Sequence, residues 1–266
     1  MHIPKGTLNQ LFKSLSSYNP VTNQAMEKIA TVLQPVGIAI LAILFLLELQ
    51  NYSKKFDSEE GGLTANVYLS IAMKYLVAYF LIMTSSKIVD GVVWFGIQTA
   101  KWINSVVVVT GTNDVIKPLA KMKMWERPIP FLFRILTYIS MAFASWTSKI
   151  IIFLRAIDLY IIKAVAPIMV AFFVHDELRS ISINFLKYVM AVVFQGALLI
   201  LILGLIPILT ANDFSSFNSL DGSVWQNAGA IIKNVIEYVG LICKYVVIII
   251  LLIGSQRKAK QLMGAM

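Results

Sequence analysis

Apolar runs of eighteen or more residues recur along this chain from Ile29 to Gly254. Each is long enough to cross a hydrocarbon core about 30 Å thick as a helix rising about 1.5 Å per residue. Such a core offers backbone polar groups no water, so only helices and closed barrels can span it. A barrel would show segments of roughly ten residues alternating apolar and polar, and these runs do not alternate. The expected fold is therefore all-α: a polytopic transmembrane helical bundle with five or six spans plus an N-terminal amphipathic helix. Composition agrees, with 58% of the 266 residues hydrophobic and 14% charged, against about 45–50% and about 25% in a soluble domain.

The formal charge of +9 raises nucleic acid as a partner. The basic residues, however, are scattered through short loops and span ends, without the stripe interleaved with aromatics that a nucleic-acid groove needs. Anionic lipid headgroups are the expected partner instead. Cys243 is the one cysteine and His2 and His175 the only histidines, which excludes an internal disulfide and argues against a multi-histidine metal site. Residues 1–28 are too polar for a signal peptide, and the first apolar run ends in Glu48-Leu49-Gln50-Asn51 without a small-residue cleavage pattern, so the first span is expected to be retained.

Along the chain, Leu8, Leu11, Phe12 and Leu15 fall at helical spacing before the Asn19-Pro20 break. Residues 1–28 thus read as an amphipathic segment lying on the membrane surface. A transmembrane helical domain follows over 29–254, with spans at about 29–49, 67–88, 129–153, 157–174, 183–211 and 231–253, and a basic cytoplasmic tail over 255–266 carrying Arg257, Lys258 and Lys260 as lipid-facing charges. Beyond the second span, Asp90, Gln98, Lys101 and Ser105 recur opposite Val92, Phe95 and Trp102, which suggests an interfacial or groove-lining face. The stretch from Phe131 to Val174 is too long for one upright span, and Arg155-Ala156-Ile157-Asp158 is its natural break. If it crosses twice there are six spans and both termini are inside; if once, five, with the N-terminus outside. Lys/Arg counting favours six, a cytoplasmic tail, and an external Asn212–Asn227 loop, which has no Lys or Arg.

Ionisable residues inside spans are functional candidates by default, because each costs about 2.5–3.5 kcal/mol to insert. Lys74 lies about two turns into its span, where its stem can snorkel. Arg155 and Asp158, three apart on one face, serve either as a neutralising pair or as a gate. Lys233, Glu237 and Lys244 share a face of the last span, and Lys244 sits about 20 Å along an ideal helix from Arg257. Either Lys244 faces a lumen or a neighbouring subunit, or it pairs with a carboxylate such as Glu237 or Glu48. Asn184, Tyr188, Ala191 and Gln195 form a polar stripe suited to helix contact or a conduit. Ser140, Ala144 and Ser148 form a row of small residues suited to close packing.

No constellation for catalysis is visible: there is no phosphate-cradling glycine loop, and the serines lack a histidine partner. The chain is read as a non-enzyme without cofactors that cannot itself supply ATP-driven force. More specific are several ordered strings: Pro35-Val36-Gly37 with the run ending Glu48-Leu49-Gln50, Arg155-x-x-Asp158-x-Tyr160 leading to Ala166-Pro167-Ile168, Phe194-Gln195-Gly196, and Gly254-Ser255 ahead of Ala259-Lys260. In order and spacing the chain resembles the VirB-six/TrbL-like conjugal transfer proteins, especially those of Gram-positive mobile elements. The resemblance covers most of the chain from Val32 onward. It implies a polytopic channel subunit of a type IV secretion system in the bacterial cytoplasmic membrane. Such a subunit assembles with itself and with other subunits, including a cytoplasmic ATPase, on a route for DNA and protein. The family-like residues would be Pro167, Gln195, Gly196, Gly254 and Ser255. A small-solute secondary transporter, with two related halves and matching broken helices, and an accessory scaffold without a conducting path are the competing readings.

Overall fold

The computed structural model describes residues 9–56, 65–106, 128–217 and 229–265. They fold as α1 (Leu15–Tyr18), α2 (Pro20–Phe56), α3 (Ala65–Val106), α4 (Pro128–Ala171), α5 (Arg179–Phe217) and α6 (Ala230–Leu262), with no strand among the described residues. Local chemistry sets several ends. Ser14 caps α1 by accepting from the Ser17 amide, and Asn19 Oδ1 accepts from the Thr22 amide at 3.1 Å with Pro20 as the first residue of α2, where its missing N–H costs nothing. At the far end, Gly264 adopts φ +60, and its amide and that of Ala265 bond back to Gln261 and Lys260, closing α6 in a left-handed glycine cap.

Four helical stretches among the described residues, Pro20–Lys54, Tyr68–Val106, Arg179–Leu205 and Ile231–Leu262, are long and apolar enough to cross a membrane. Large apolar side chains stand exposed along them, among them Val32, Leu46, Leu69, Phe80, Trp94, Leu186, Ile250 and Ile253, while Arg155, Lys163, Gln195 and Lys244 are buried. That polarity is the reverse of a water-soluble domain, and it is what a multi-pass membrane chain needs.

Three sequence expectations change. The break at Arg155–Asp158 is not there: α4 runs unbroken for 44 residues, about 66 Å at about 1.5 Å per residue. With no glycine or proline between Pro130 and Pro167, nothing in the backbone stops the helix. A continuous helix cannot turn back, so 129–153 and 157–174 are not two separate crossings. The division at residue 28 also falls away, because α2 starts at Pro20 and passes through it. Nor is 255–266 a separate tail, since α6 continues to Leu262 with Ser255 and Ala259 buried. The basic connector residues Lys117, Lys121, Lys123 and Arg127, and the segment 218–228, lie outside the described residues.

The chain packs as two units. One comprises Lys13–Ile97, Arg155–Phe194 and Ala259–Met266. Its core has two apolar clusters: Val89, Val93, Ile97, Leu159, Tyr160, Val189 and Val192 with Leu15, and Leu41, Leu44, Ile71, Tyr75, Ile82 and Val174. The other comprises Met1–Phe12, Gln98–Leu154 and Gln195–Lys258, where Ala144, Ser148, Leu199, Ile200, Tyr245, Ile248 and Leu252 are buried.

Candidate functional site

The first unit holds a buried ammonium group that the sequence reading did not single out. Lys163 is only 1% exposed, and α4 presents it on the same face as Ala156, Tyr160 and Pro167 by its 3.6-residue period. Its Nζ donates to Asn23 Oδ1 at 3.0 Å, Glu27 Oε1 at 2.8 Å and Asp90 Oδ2 at 2.8 Å. An ammonium has three protons, so each finds an acceptor. Asn23 and Glu27 lie one turn apart on α2, and Asn23 Nδ2 also donates to Glu27 Oε1 at 2.9 Å. Asp90 comes from α3. Three long helices therefore converge on one nitrogen. One cation against two carboxylates leaves a formal charge of −1. The carboxylates, 48% and 45% exposed, carry that excess to the surface of the unit.

Neighbouring positions on α4 make further long-range bonds. The Tyr160 hydroxyl donates to the carbonyl of Leu15 at 2.7 Å, docking the end of α1. Arg155 is buried, and its Nε and Nη2 donate to the carbonyls of Val192 and Val193 at 3.0 and 3.4 Å. Asp158 is half-buried, and the Lys260 ammonium lies 4.9 Å from the Tyr188 ring. Lys260 is accordingly turned toward protein groups rather than standing out as a lipid-facing charge, whereas Arg257 and Lys258 are exposed.

A second polar group forms where α2 and α3 meet. Lys74 does not simply snorkel: its Nζ lies 3.1 Å from Glu48 Oε1 and 3.8 Å from Asp176. The Tyr75 hydroxyl donates to the other Glu48 oxygen. Both Glu48 oxygens are thus engaged by α3, the neighbouring helix.

In the other unit, Lys244 is 6% exposed and Tyr245 beside it 0%, while Lys233 and Glu237 are half-buried. Gln195 is buried, its Nε2 donating to Ser255 Oγ at 3.3 Å, and its Oε1 has no hydrogen-bond partner. Gly196 is buried and Gly254 half-buried; in the first unit, Asn184 at the start of the polar stripe is exposed. In the small-residue row, Ser148 and Ala144 are buried, with Ser148 bonded back to the Ala144 carbonyl.

The strings that carried the family resemblance meet in pairs. A Cβ placed on Gly37 would lie 2.7 Å from the carbonyl oxygen of Pro167, so Pro35-Val36-Gly37 and Ala166-Pro167-Ile168 touch backbone to backbone. Phe194-Gln195-Gly196 and Gly254-Ser255 are joined by the Gln195–Ser255 bond. Among the described residues, no three His, Cys, Asp or Glu side chains group to hold a metal ion. Comparison with protein-family models, curated proteins and solved structures finds no match to this chain.

Of this cluster the sequence reading named only Asp90; Asn23, Glu27 and Lys163 escaped it because nothing in their own segments shows that they meet. The available signal was the lysine itself, flanked by Ile161, Ile162 and Ala164 in an apolar run.

Proposed function

We propose that the chain is a membrane-embedded channel or scaffold subunit of a type IV secretion (conjugation) machine, helping to move DNA and protein across the bacterial cytoplasmic membrane. The pairwise meeting of Gly37 with Pro167 and of Gln195 with Ser255 carries the reading. Chance similarity between apolar segments would have no reason to fall on residues that meet one another across helices. In this reading the chain crosses several times with its C-terminal end, marked by Arg257 and Lys258, on the cytoplasmic side. It assembles with further copies of itself and with other secretion subunits, including the cytoplasmic ATPase, and touches translocated substrate only in passing. The exposed apolar faces would meet lipid, and Arg257 and Lys258 the anionic headgroups. An in-frame deletion should abolish transfer of the mobile element to recipient cells while its replication and host growth stay normal, with transfer restored by the gene in trans. Undiminished transfer from the deletion strain ends the proposal.

One observation favours a second reading, an ion-coupled transporter of small solutes. A buried lysine bracketed by two half-exposed carboxylates of net charge −1 is the kind of intramembrane group that handles protons or ions. Purified protein in vesicles holding a pH gradient would then speed its decay, and Asp90→Asn would restore the rate of empty vesicles. Vesicles containing the unmodified protein that hold the gradient like empty ones exclude it.

A further inference from the structure

From the cavity beside Lys74 we infer that the unit formed by Lys13–Ile97, Arg155–Phe194 and Ala259–Met266 carries a binding site for one phospholipid with an amine-bearing headgroup. The inference needs only a membrane-embedded chain and is independent of the secretion reading.

Between α3 and the short turn joining α4 to α5 lies a cavity of about 400 Å³. Lys74, Asp176 and Arg179 stand at it, and Val77, Leu81 and Phe173 form apolar wall. A second cavity, of about 210 Å³, shares Leu81 and Phe173 with the first. Its two serines have turned inward on the backbone: Ser85 donates to the Ile82 carbonyl and Ser182 to that of Met169. Their hydroxyls therefore offer a ligand little, and the second space is a hydrocarbon slot. A charged cavity beside a dry one, with Leu81 and Phe173 common to both, has the polarity of an amphiphile. The first cavity by itself falls within the roughly 300–1,000 Å³ usual for a small-molecule site.

The signs at the opening narrow the headgroup. Arg179 is exposed, with its guanidinium 5.1 Å from the Phe173 ring, and its forked N–H donors suit a phosphate diester. Lys74 is already neutralised by Glu48 at 3.1 Å, so Arg179 is the cation left for the phosphate. Asp176 faces Lys74 at 3.8 Å, with its own side chain 84% exposed, and supplies an acceptor for an ammonium a few ångströms from the phosphate. Arg179 for the phosphate and Asp176 for the amine match a zwitterionic aminophospholipid. A headgroup with three N-methyl groups cannot donate that last hydrogen bond, and a simple anionic one leaves Asp176 as repulsion. The site also sits where a headgroup must be: the polar turn His175-Asp176-Glu177 separates two long apolar helices.

The full chain, reconstituted in vesicles of equal parts phosphatidylethanolamine, phosphatidylcholine and phosphatidylglycerol and then released into detergent, is read for retained lipid by native mass spectrometry. Phosphatidylethanolamine should be retained about tenfold over the other two, the scale of one charge-assisted hydrogen bond. Arg179→Gln should lower retention of every phospholipid. Asp176→Asn should remove only the preference, leaving ethanolamine and choline lipids equal. Leu81→Trp, which fills the shared wall without touching a charge, should lower retention with the preference intact. Unchanged helicity by circular dichroism accompanies each variant. Equal retention of the three lipids by the unmodified protein overturns the inference. So does a phosphatidylglycerol preference indifferent to Asp176→Asn, or Arg179→Gln and Leu81→Trp both leaving the bound lipid unaltered.

Discussion

Replacing Lys163 by Met keeps most of the side-chain length and removes the charge. In the native cluster the ammonium stands 2.8 Å from an oxygen of Glu27 and 2.8 Å from one of Asp90. Its loss leaves two carboxylates facing one emptied point, and the formal charge goes from −1 to −2. Removing one partner of a fully buried ion pair costs about 3–5 kcal/mol. Here the acids are about half exposed, so solvent or headgroups screen part of the repulsion and about 2–3 kcal/mol is the expected loss. Removing one acid instead takes the cluster to zero net charge, with the ammonium still bonded to the other carboxylate and to Asn23. Glu27→Gln and Asp90→Asn should therefore each cost less than Lys163→Met. The triple variant Lys163→Met, Glu27→Gln, Asp90→Asn should recover most of the loss, because a neutral, well-filled substitute for an ion cluster is often nearly as stable as the original. Reversible denaturant unfolding in mixed micelles, followed by helical circular dichroism, measures all four. The electrostatic account fails if Lys163→Met unfolds at the unmodified midpoint, or if either acid variant is the least stable of the set.

Gly37→Ala should destabilise by about 1–3 kcal/mol, because its Cβ would meet the Pro167 backbone at 2.7 Å, an overpacking that side-chain rotation cannot relieve. Gly91→Ala, with nothing within 4 Å, should instead gain up to about 1 kcal/mol of helix propensity; the same unfolding assay separates the two. Lys244→Met should lower membrane abundance, measured by quantitative immunoblot, because the ammonium is buried within the chain and its partners there would be left without it; normal abundance with reduced transfer would instead mark a conducting role. For topology, Cys243 is exposed and must first be replaced. Single cysteines at Glu177 and Lys258 should then both escape an impermeant thiol reagent on intact cells and react after lysis, and labelling of either in intact cells removes the proposed orientation.

Helix content was legible because apolar length is a property of each segment alone: α5 and α6 begin within a few residues of where hydropathy puts them. The errors arose where charge was taken as punctuation. Arg155 and Asp158 looked like a break in a long apolar run, yet a helix ends when its backbone bonds are interrupted, and an arginine interrupts none. Arg155 instead donates to Val192 and Val193, 37 and 38 residues away, a partner choice that no local window contains. The same limit hid the Lys163 cluster, whose members are 140, 136 and 73 residues apart in sequence. Gly37 was legible as part of a string but not as a contact, since only the approach of Pro167 explains why a side chain cannot stand there.

These distant polar bonds bear on how such a chain selects one packing. Between helices in lipid, apolar contact discriminates poorly, because a leucine side chain is as well solvated by acyl chains as by another leucine. Sliding α4 by one turn past α2 would exchange one set of apolar neighbours for another at little cost. It would also carry Lys163 about 5.4 Å from Glu27 and Asn23, leaving an ammonium among apolar groups, and would lift the Tyr160 hydroxyl off the Leu15 carbonyl. Glu48 with Lys74 and Tyr75 fixes α2 against α3 in the same way, and Arg155 fixes α4 against α5. Each bond is short-ranged and directional where the apolar contacts are neither, so the register of the first unit is set by a handful of polar residues that composition alone would count as defects.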